Sequence, residues 1–102
     1  MASTPEKNAS YLTFRGRPLL RKGDELYYGR MSDPYIVYMK INAKRKAGDF
    51  QIASRVSWAL MRTDETLDLF SRVVKSGEKN GIYSALDIGA IALERALSAE
   101  KG

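Results

Sequence analysis

The sequence predicts an α+β protein, in which a strongly twisted antiparallel sheet or partly open small β-barrel of five to six strands carries one packed C-terminal helix. Three observations support this fold class. Apolar and polar residues alternate between Tyr35 and Arg62, as in two long paired strands. Short β-prone segments bounded by glycine precede them. From about Glu78 the apolar residues recur every three or four positions, and such an amphipathic helix needs a sheet face to bury its stripe.

Length and composition predict one globular domain. The chain has 102 residues, 44% of them hydrophobic and 28% charged. We expect residues 1–9 to be a disordered tail and residues 10–99 to form the domain. No apolar run is long enough to cross a bilayer, and the N-terminal residues lack the apolar region of a secretory signal. We therefore expect a cytoplasmic protein with no membrane partner.

Three short strands are predicted before the long alternating region. Residues 11–15 are β-prone and end at Gly16. Residues 19–21 and 26–29 are apolar runs that flank a Gly-Asp pair, which is typical of a tight hairpin. Pro34 then interrupts the pattern before the next strand begins.

The long alternating region predicts a β-hairpin. With Ala47 and Gly48 as its loop, Lys46 faces Asp49 and the apolar faces of the two strands coincide. The resulting register pairs Tyr35 with Leu60, Val37 with Trp58, Met39 with Val56 and Ala43 with Ile52. It places Trp58 in the core, together with Phe50 and Ile52 on the apolar face, and leaves Arg45 on the core side near the loop.

The outward face of this hairpin is the candidate binding surface, formed by Tyr38, Lys40, Lys44, Lys46 and Arg55. The predicted register sets Lys40 opposite Arg55, Tyr38 opposite Ser57 and Lys44 opposite Gln51. Like charges directly opposite each other are unfavourable, and a phosphate backbone would neutralise them while a tyrosine ring stacks on a base. The alternative is that the lysines only keep a long strand soluble.

Residues 63–77 have two interpretations. The β-branched pair Val73-Val74 favours a strand, which we prefer. The alternative is a helix capped by Thr63 and ended by Gly77. Beyond it, a helix over about residues 78–98 is predicted. Gly89 in its interior indicates a close approach to the sheet, because glycine otherwise destabilises a helix by about 1 kcal/mol.

Composition restricts the chemistry available. The chain has no histidine and no cysteine, so it cannot supply Ser-His-Asp or Cys-His catalysis, nor the nitrogen and sulfur ligands of zinc or copper sites. Asp64, Glu65 and Asp68 could offer oxygen ligands to Mg²⁺, but they also fit a turn or helix start. We predict no enzyme activity, no cofactor and no metal.

Charge is distributed unevenly along the chain. The net charge is +5, and residues 1–62 carry 12 basic against 5 acidic residues. This excess predicts an acidic partner for the N-terminal part, either nucleic acid or an acidic protein surface. The leading hypothesis is a non-catalytic module that contacts nucleic acid through the hairpin face. The alternative is a protein-interaction or assembly module that uses the C-terminal helix or a strand edge, for example to form a homo-oligomer.

Overall fold

The computed structural model of the protein describes residues 9–100, with side chains from Leu12 onward. The part of the predicted tail at residues 1–8 lies outside the described residues, and Ala9 already belongs to a strand. The elements in chain order are β1 (Ala9–Phe14), β2 (Arg17–Lys22), β3 (Glu25–Tyr28), β4 (Tyr35–Ala47), β5 (Phe50–Arg62), α1 (Leu69–Arg72), β6 (Val73–Lys79) and α2 (Ile82–Glu100).

The six strands form one antiparallel sheet in which each strand pairs with the next along the chain, in the order β1 to β6. The sheet is not closed: within the described residues, β1 and β6 are its two edges. Helix α2 packs on one face, mainly over β4 and β5. The predicted fold class is therefore confirmed, as an open sheet and not a barrel.

The first two turns have the backbone conformation that tight hairpins need. Arg15 and Gly16 both have positive φ, at 50° and 80°, as in a type I′ turn between β1 and β2. Gly23, with φ of 63°, begins the Gly-Asp loop between β2 and β3. The three predicted short strands and the tight hairpin are confirmed.

The long hairpin forms, but its register differs from the predicted one by two residues. The loop consists of Gly48 and Asp49, and Ala47 pairs with Phe50. Gly48 takes a φ of 64° at the first loop position, where glycine has no steric penalty. The predicted pairs are wrong, since Val37 pairs with Leu60 and Met39 with Trp58. A shift of two keeps every side chain on its face, so Trp58 is buried as expected.

An irregularity divides the long hairpin into two parts. Between the pairs Ile41–Val56 and Lys44–Ala53, the register skips Asn42 on β4 and Ser54 on β5. One extra residue on each strand reverses the alternation of side chains beyond that point while the pairing continues. Phe50 and Ile52 were predicted to face the core. Both are exposed instead, Phe50 at 74% and Ile52 at 38%.

Residues 63–77, for which the sequence allowed either a strand or a helix, contain one short helix and the start of a strand. Residues Leu69–Arg72 form one helical turn, capped by Asp68, whose Oδ1 accepts from the Ser71 N–H at 2.8 Å. The preferred strand follows as β6, with Gly77 inside it. Thr63 caps no helix; its hydroxyl donates to the Asp33 carbonyl at 2.6 Å.

Helix α2 begins at Ile82, four residues later than predicted. Glu78 and Lys79 pair with Ser57 and Val56 in the sheet, so the strand continues where the helical period had suggested a helix. The chain turns at Gly81, whose φ is 110° and whose carbonyl accepts from the Ala85 N–H.

Two glycines allow the layers to approach closely. A Cβ at Gly89 would lie 2.9 Å from Val37 Cγ1, which explains the glycine inside the helix. A Cβ at Gly77 would lie 2.8 Å from Trp58 Nε1, so β6 passes directly beside the indole. The core between sheet and helix contains Leu26, Tyr28, Val37, Met39, Val56, Trp58, Leu60, Leu86, Ala90 and Leu93.

Candidate nucleic-acid interface

The distal half of the long hairpin projects beyond the rest of the sheet. Strand β3 pairs with β4 only as far as Lys40, and β6 pairs with β5 only from Val56 onward. Residues 42–55, here called the arm, therefore have no flanking strand among the described residues. None of them is buried, and residues 44–52 are all exposed. At about 3.3 Å per residue, its five cross-strand pairs extend the hairpin by roughly 15 Å.

The arm concentrates the positive charge of the protein. It contains Lys44, Arg45, Lys46 and Arg55 against Asp49 alone, a net of +3 in 14 residues of a chain whose total is +5. Arg45 and Lys46 make no ion pair with any residue that the structure describes. Their charges are therefore available to a ligand.

The two cations at the base of the arm have acidic neighbours. Lys44 Nζ lies 2.8 Å from Asp24 Oδ1, and its hydrogen bond is the main cause of the lowered pKa of that carboxyl. Arg55 Nε lies 3.6 Å from Glu78 Oε1. All four side chains are partly exposed, and exposed ion pairs are weak because water and salt screen them. A phosphate group can therefore displace either carboxylate.

The predicted like-charge pair does not exist. Lys40 lies opposite Ser57 on one side and Glu25 on the other, whereas Arg55 lies opposite Ala43. The two-residue shift and the skipped residues separate the two cations. Lys40 remains at the base of the arm, but the argument from cross-strand repulsion no longer applies.

The skipped residues also divide the candidate lysines between two faces. Lys44 pairs with Ala53, which packs against the core, and lines a cleft with Ile41 and Ile82. It therefore lies on the side that carries α2, not on the predicted outward side, and strand alternation places Lys46 with it. Strand alternation places Arg45, predicted on the core side, on the opposite face, and Arg55 lies on that face beside Glu78. The arm thus presents cations on both faces.

The cleft beside Lys44 separates the base of the arm from the start of α2. Its volume is about 520 Å³. Ile41, Ile82 and Ala53 provide apolar walls, while Arg21 and Lys44 provide positive charge. The Arg21 guanidinium donates to the Gly23 carbonyl at 3.1 Å, which holds it beside the β2–β3 turn.

Tyr38 lies in a cluster on the outward face of the sheet. Its ring centroid is 5.3 Å from that of Tyr27, with the ring planes tilted by 55°. The Tyr27 hydroxyl donates to Glu25 Oε1 at 3.0 Å. Burial, and then the hydrogen bond and charge of Glu25, raise the pKa of Tyr38 to about 12. Because a carboxylate there repels phosphate, this arrangement favours packing over base stacking for Tyr38.

The raised pKa of Tyr38 gives a pH dependence that can be measured. Its contribution to stability is complete below pH 10, the ordinary value, and is lost as the pH rises to about 12, because the unfolded chain releases that proton first. We expect an absorbance titration of tyrosinate to show a late component that Tyr38→Phe reduces; burial also raises the pKa values of Tyr27 and Tyr28, so part of it remains. An unchanged titration in the variant would contradict this assignment.

Sequence reasoning missed Phe50. Its ring is 74% exposed and stands next to the Gly48-Asp49 loop at the tip of the arm. The alternating pattern had placed it in the core, although a phenylalanine next to a loop in a basic segment was a visible signal for an exposed site.

Comparison of the chain with protein-family models, with curated proteins and with solved structures found no match. Over residues 9–100, no helix is both long and apolar enough to cross a membrane. Asp64 and Asp68, considered above as oxygen ligands, accept local hydrogen bonds from Thr66 and Ser71 respectively.

Proposed function

We propose that this chain is a non-catalytic binding module that contacts nucleic acid through the arm. The observation that carries the proposal is the projection of a net +3 segment away from the body, on a ribbon with no buried residue. Neutralising phosphates with lysine and arginine releases condensed counterions, which drives such binding. Of the residues predicted from sequence, Lys44, Lys46 and Arg55 lie on the arm and Lys40 at its base.

The proposal assigns different roles to the remaining residues. Arg45 joins the phosphate-contacting set, and Tyr38 supports the sheet beneath the arm. No catalytic step and no cofactor is part of the proposed function. A cytoplasmic location, expected from the composition of the N-terminal residues, remains a prediction.

The test compares two triple variants with matched charge. Lys44→Gln, Arg45→Gln and Lys46→Gln together should weaken binding to a labelled oligonucleotide at least about tenfold near 50 mM salt, since up to three phosphate contacts are lost. The slope of log affinity against log salt should become shallower by about 2–3. Fluorescence anisotropy over a salt series measures both quantities.

The control removes the same charge elsewhere. Lys75→Gln, Lys79→Gln and Arg95→Gln change exposed side chains outside the arm, so affinity and slope should stay close to those of the wild type. If both triple variants lose the same amount of affinity, the oligonucleotide is attracted to the net charge of the protein and not to a site on the arm. An absence of wild-type binding near about 50 mM salt, where counterion release strongly favours cationic ligands, would overturn the proposal.

A protein-interaction or assembly module is the second candidate, because one edge of the sheet supports it. Every residue of β6 is exposed, and the adjoining α1 exposes Leu69 and Phe70. An exposed edge can pair with a strand of another chain, including a second copy or a segment with acidic residues. Sedimentation of the wild-type protein with and without oligonucleotide separates self-association from nucleic-acid binding.

A further inference from the structure

We infer that the target of the arm is duplex DNA, and that Phe50 enters the duplex as a wedge between adjacent base pairs. This inference rests on the proposed function, and it specifies the class of nucleic acid and the manner of contact. Three features of the arm carry it: its shape, the distribution of its cations, and the apolar side chain at its tip.

The arm projects beyond its neighbouring strands, and a projecting ribbon fits a groove. Proteins that bind single strands hold them in a positively charged groove of their own, whereas residues 44–52 are all exposed. Two-stranded ribbons bind DNA in the major groove, which is about 12 Å wide, or in the minor groove, from which apolar side chains insert between base steps. The major groove of A-form RNA is too narrow for side chains to read. The shape of the arm therefore favours duplex DNA over single strands and over duplex RNA.

The charges lie on both faces of the ribbon. Arg45 pairs with Ile52 and Lys46 pairs with Gln51, so successive cations on β4 point in opposite directions. A single strand lying on one face would leave the cations of the other face unused. A groove has a phosphate wall on each side, and both sets of cations can reach phosphates there.

Phe50 stands at the tip, and the residues that the structure describes leave most of it uncovered. Its cross-strand neighbour is Ala47, which is too small to cover the ring, and 74% of Phe50 is exposed. Apolar side chains inserted between base steps unstack them and kink the duplex by roughly 20–90°. Because the cations contact the phosphates on both sides of the groove, the Phe50 ring lies beside the base steps, where it can insert between them.

The experiment measures DNA bending separately from binding. A duplex of about 30 base pairs, labelled at both ends, reports a kink as increased energy transfer when protein binds. Wild-type protein should increase the transfer. Phe50→Ala should still bind with an unchanged salt slope but lose at least half of the increase in energy transfer. Phe70→Ala removes another exposed ring, 95% exposed and outside the arm, and should bend DNA like the wild type.

The outcomes separate this inference from the proposed function. Wild-type binding without increased energy transfer, or full bending by Phe50→Ala, overturns the wedge and leaves the proposed function intact. Tighter binding to the single strand, or to duplex RNA of the same sequence, also overturns this inference alone. Failure to bind any of the three nucleic acids overturns the proposed function. Circular dichroism of Phe50→Ala should match that of the wild type, because the side chain is exposed and removing it should leave the fold intact.

Discussion

Replacing Trp58 with alanine is expected to lower the free energy of unfolding by about 3–5 kcal/mol, the usual cost of removing a large buried aromatic side chain. Trp58 is only 5% exposed, and it lies where β5, β6 and the helix-facing core meet. Gly77 packs directly against its indole. Loss of the ring would therefore leave a cavity under an edge strand and weaken the attachment of β6. Urea denaturation followed by circular dichroism measures the change.

A second substitution at the same position tests the polar part of the indole. The Trp58 N–H is buried and has no acceptor among the described residues. Phenylalanine removes this unsatisfied donor, whose burial costs about 1–3 kcal/mol, and leaves only a small cavity. Trp58→Phe should therefore cost less than about 1.5 kcal/mol. Tyr83→Ala removes an exposed ring as the control and should change stability by about 0.5 kcal/mol or less. Equal losses in Trp58→Ala and Tyr83→Ala would contradict the assigned core.

Replacing Leu93 with alanine should cost about 2–5 kcal/mol. The side chain is completely buried, and its Cδ2 lies 3.2 Å from the position a Cβ would take at Gly29. It therefore joins α2 to the end of β3. The surroundings include Val37 and Tyr28, which are also completely buried, so the cavity cannot collapse easily. The same denaturation series measures this variant.

Leu69→Ala is the matched control for Leu93→Ala. Leu69 has the same side chain but is 66% exposed in α1, and its truncation should cost about 0.5 kcal/mol or less. A loss below about 1 kcal/mol at Leu93 would mean that α2 is not held on the sheet as described. Both variants should leave nucleic-acid binding by folded protein unchanged, because neither lies on the arm.

The long hairpin illustrates why a sequence pattern predicts the side of the sheet on which a residue lies better than it predicts the cross-strand partner of that residue. Side chains alternate with a period of two, so the pattern identifies Val37, Met39 and Trp58 as residues of one face. A register shifted by two satisfies that pattern equally well. The choice between registers depends on the loop, and Gly48 has its positive φ at the first position of a Gly48-Asp49 loop, where a type II′ turn takes glycine. The face of Trp58 was predictable, whereas its partner Met39 was not.

Helix and strand boundaries show a similar limit. The apolar period of α2 was clear from the sequence, and Gly89 indicated its close contact with the sheet. The residues just before α2 have only a weak preference for helix or strand. Pairing of Glu78 and Lys79 with β5 extended β6 and delayed the helix start to Ile82, because backbone hydrogen bonds to a neighbouring strand outweigh a local helical pattern.

By itself, the sequence determined the α+β class, the apolar faces of the two long strands on the body side of the skipped residues, and the stripe of the C-terminal helix, because these follow from local periodicity. Only the tertiary structure determined the arm. It exists because β3 and β6 stop pairing at Lys40 and Val56, and because the skipped residues Asn42 and Ser54 turn Phe50 away from the core. The ends of pairing and the skipped residues depend on which strands lie side by side and on how many residues they pair. The apolar period of one segment contains no information about the lengths of the strands beside it.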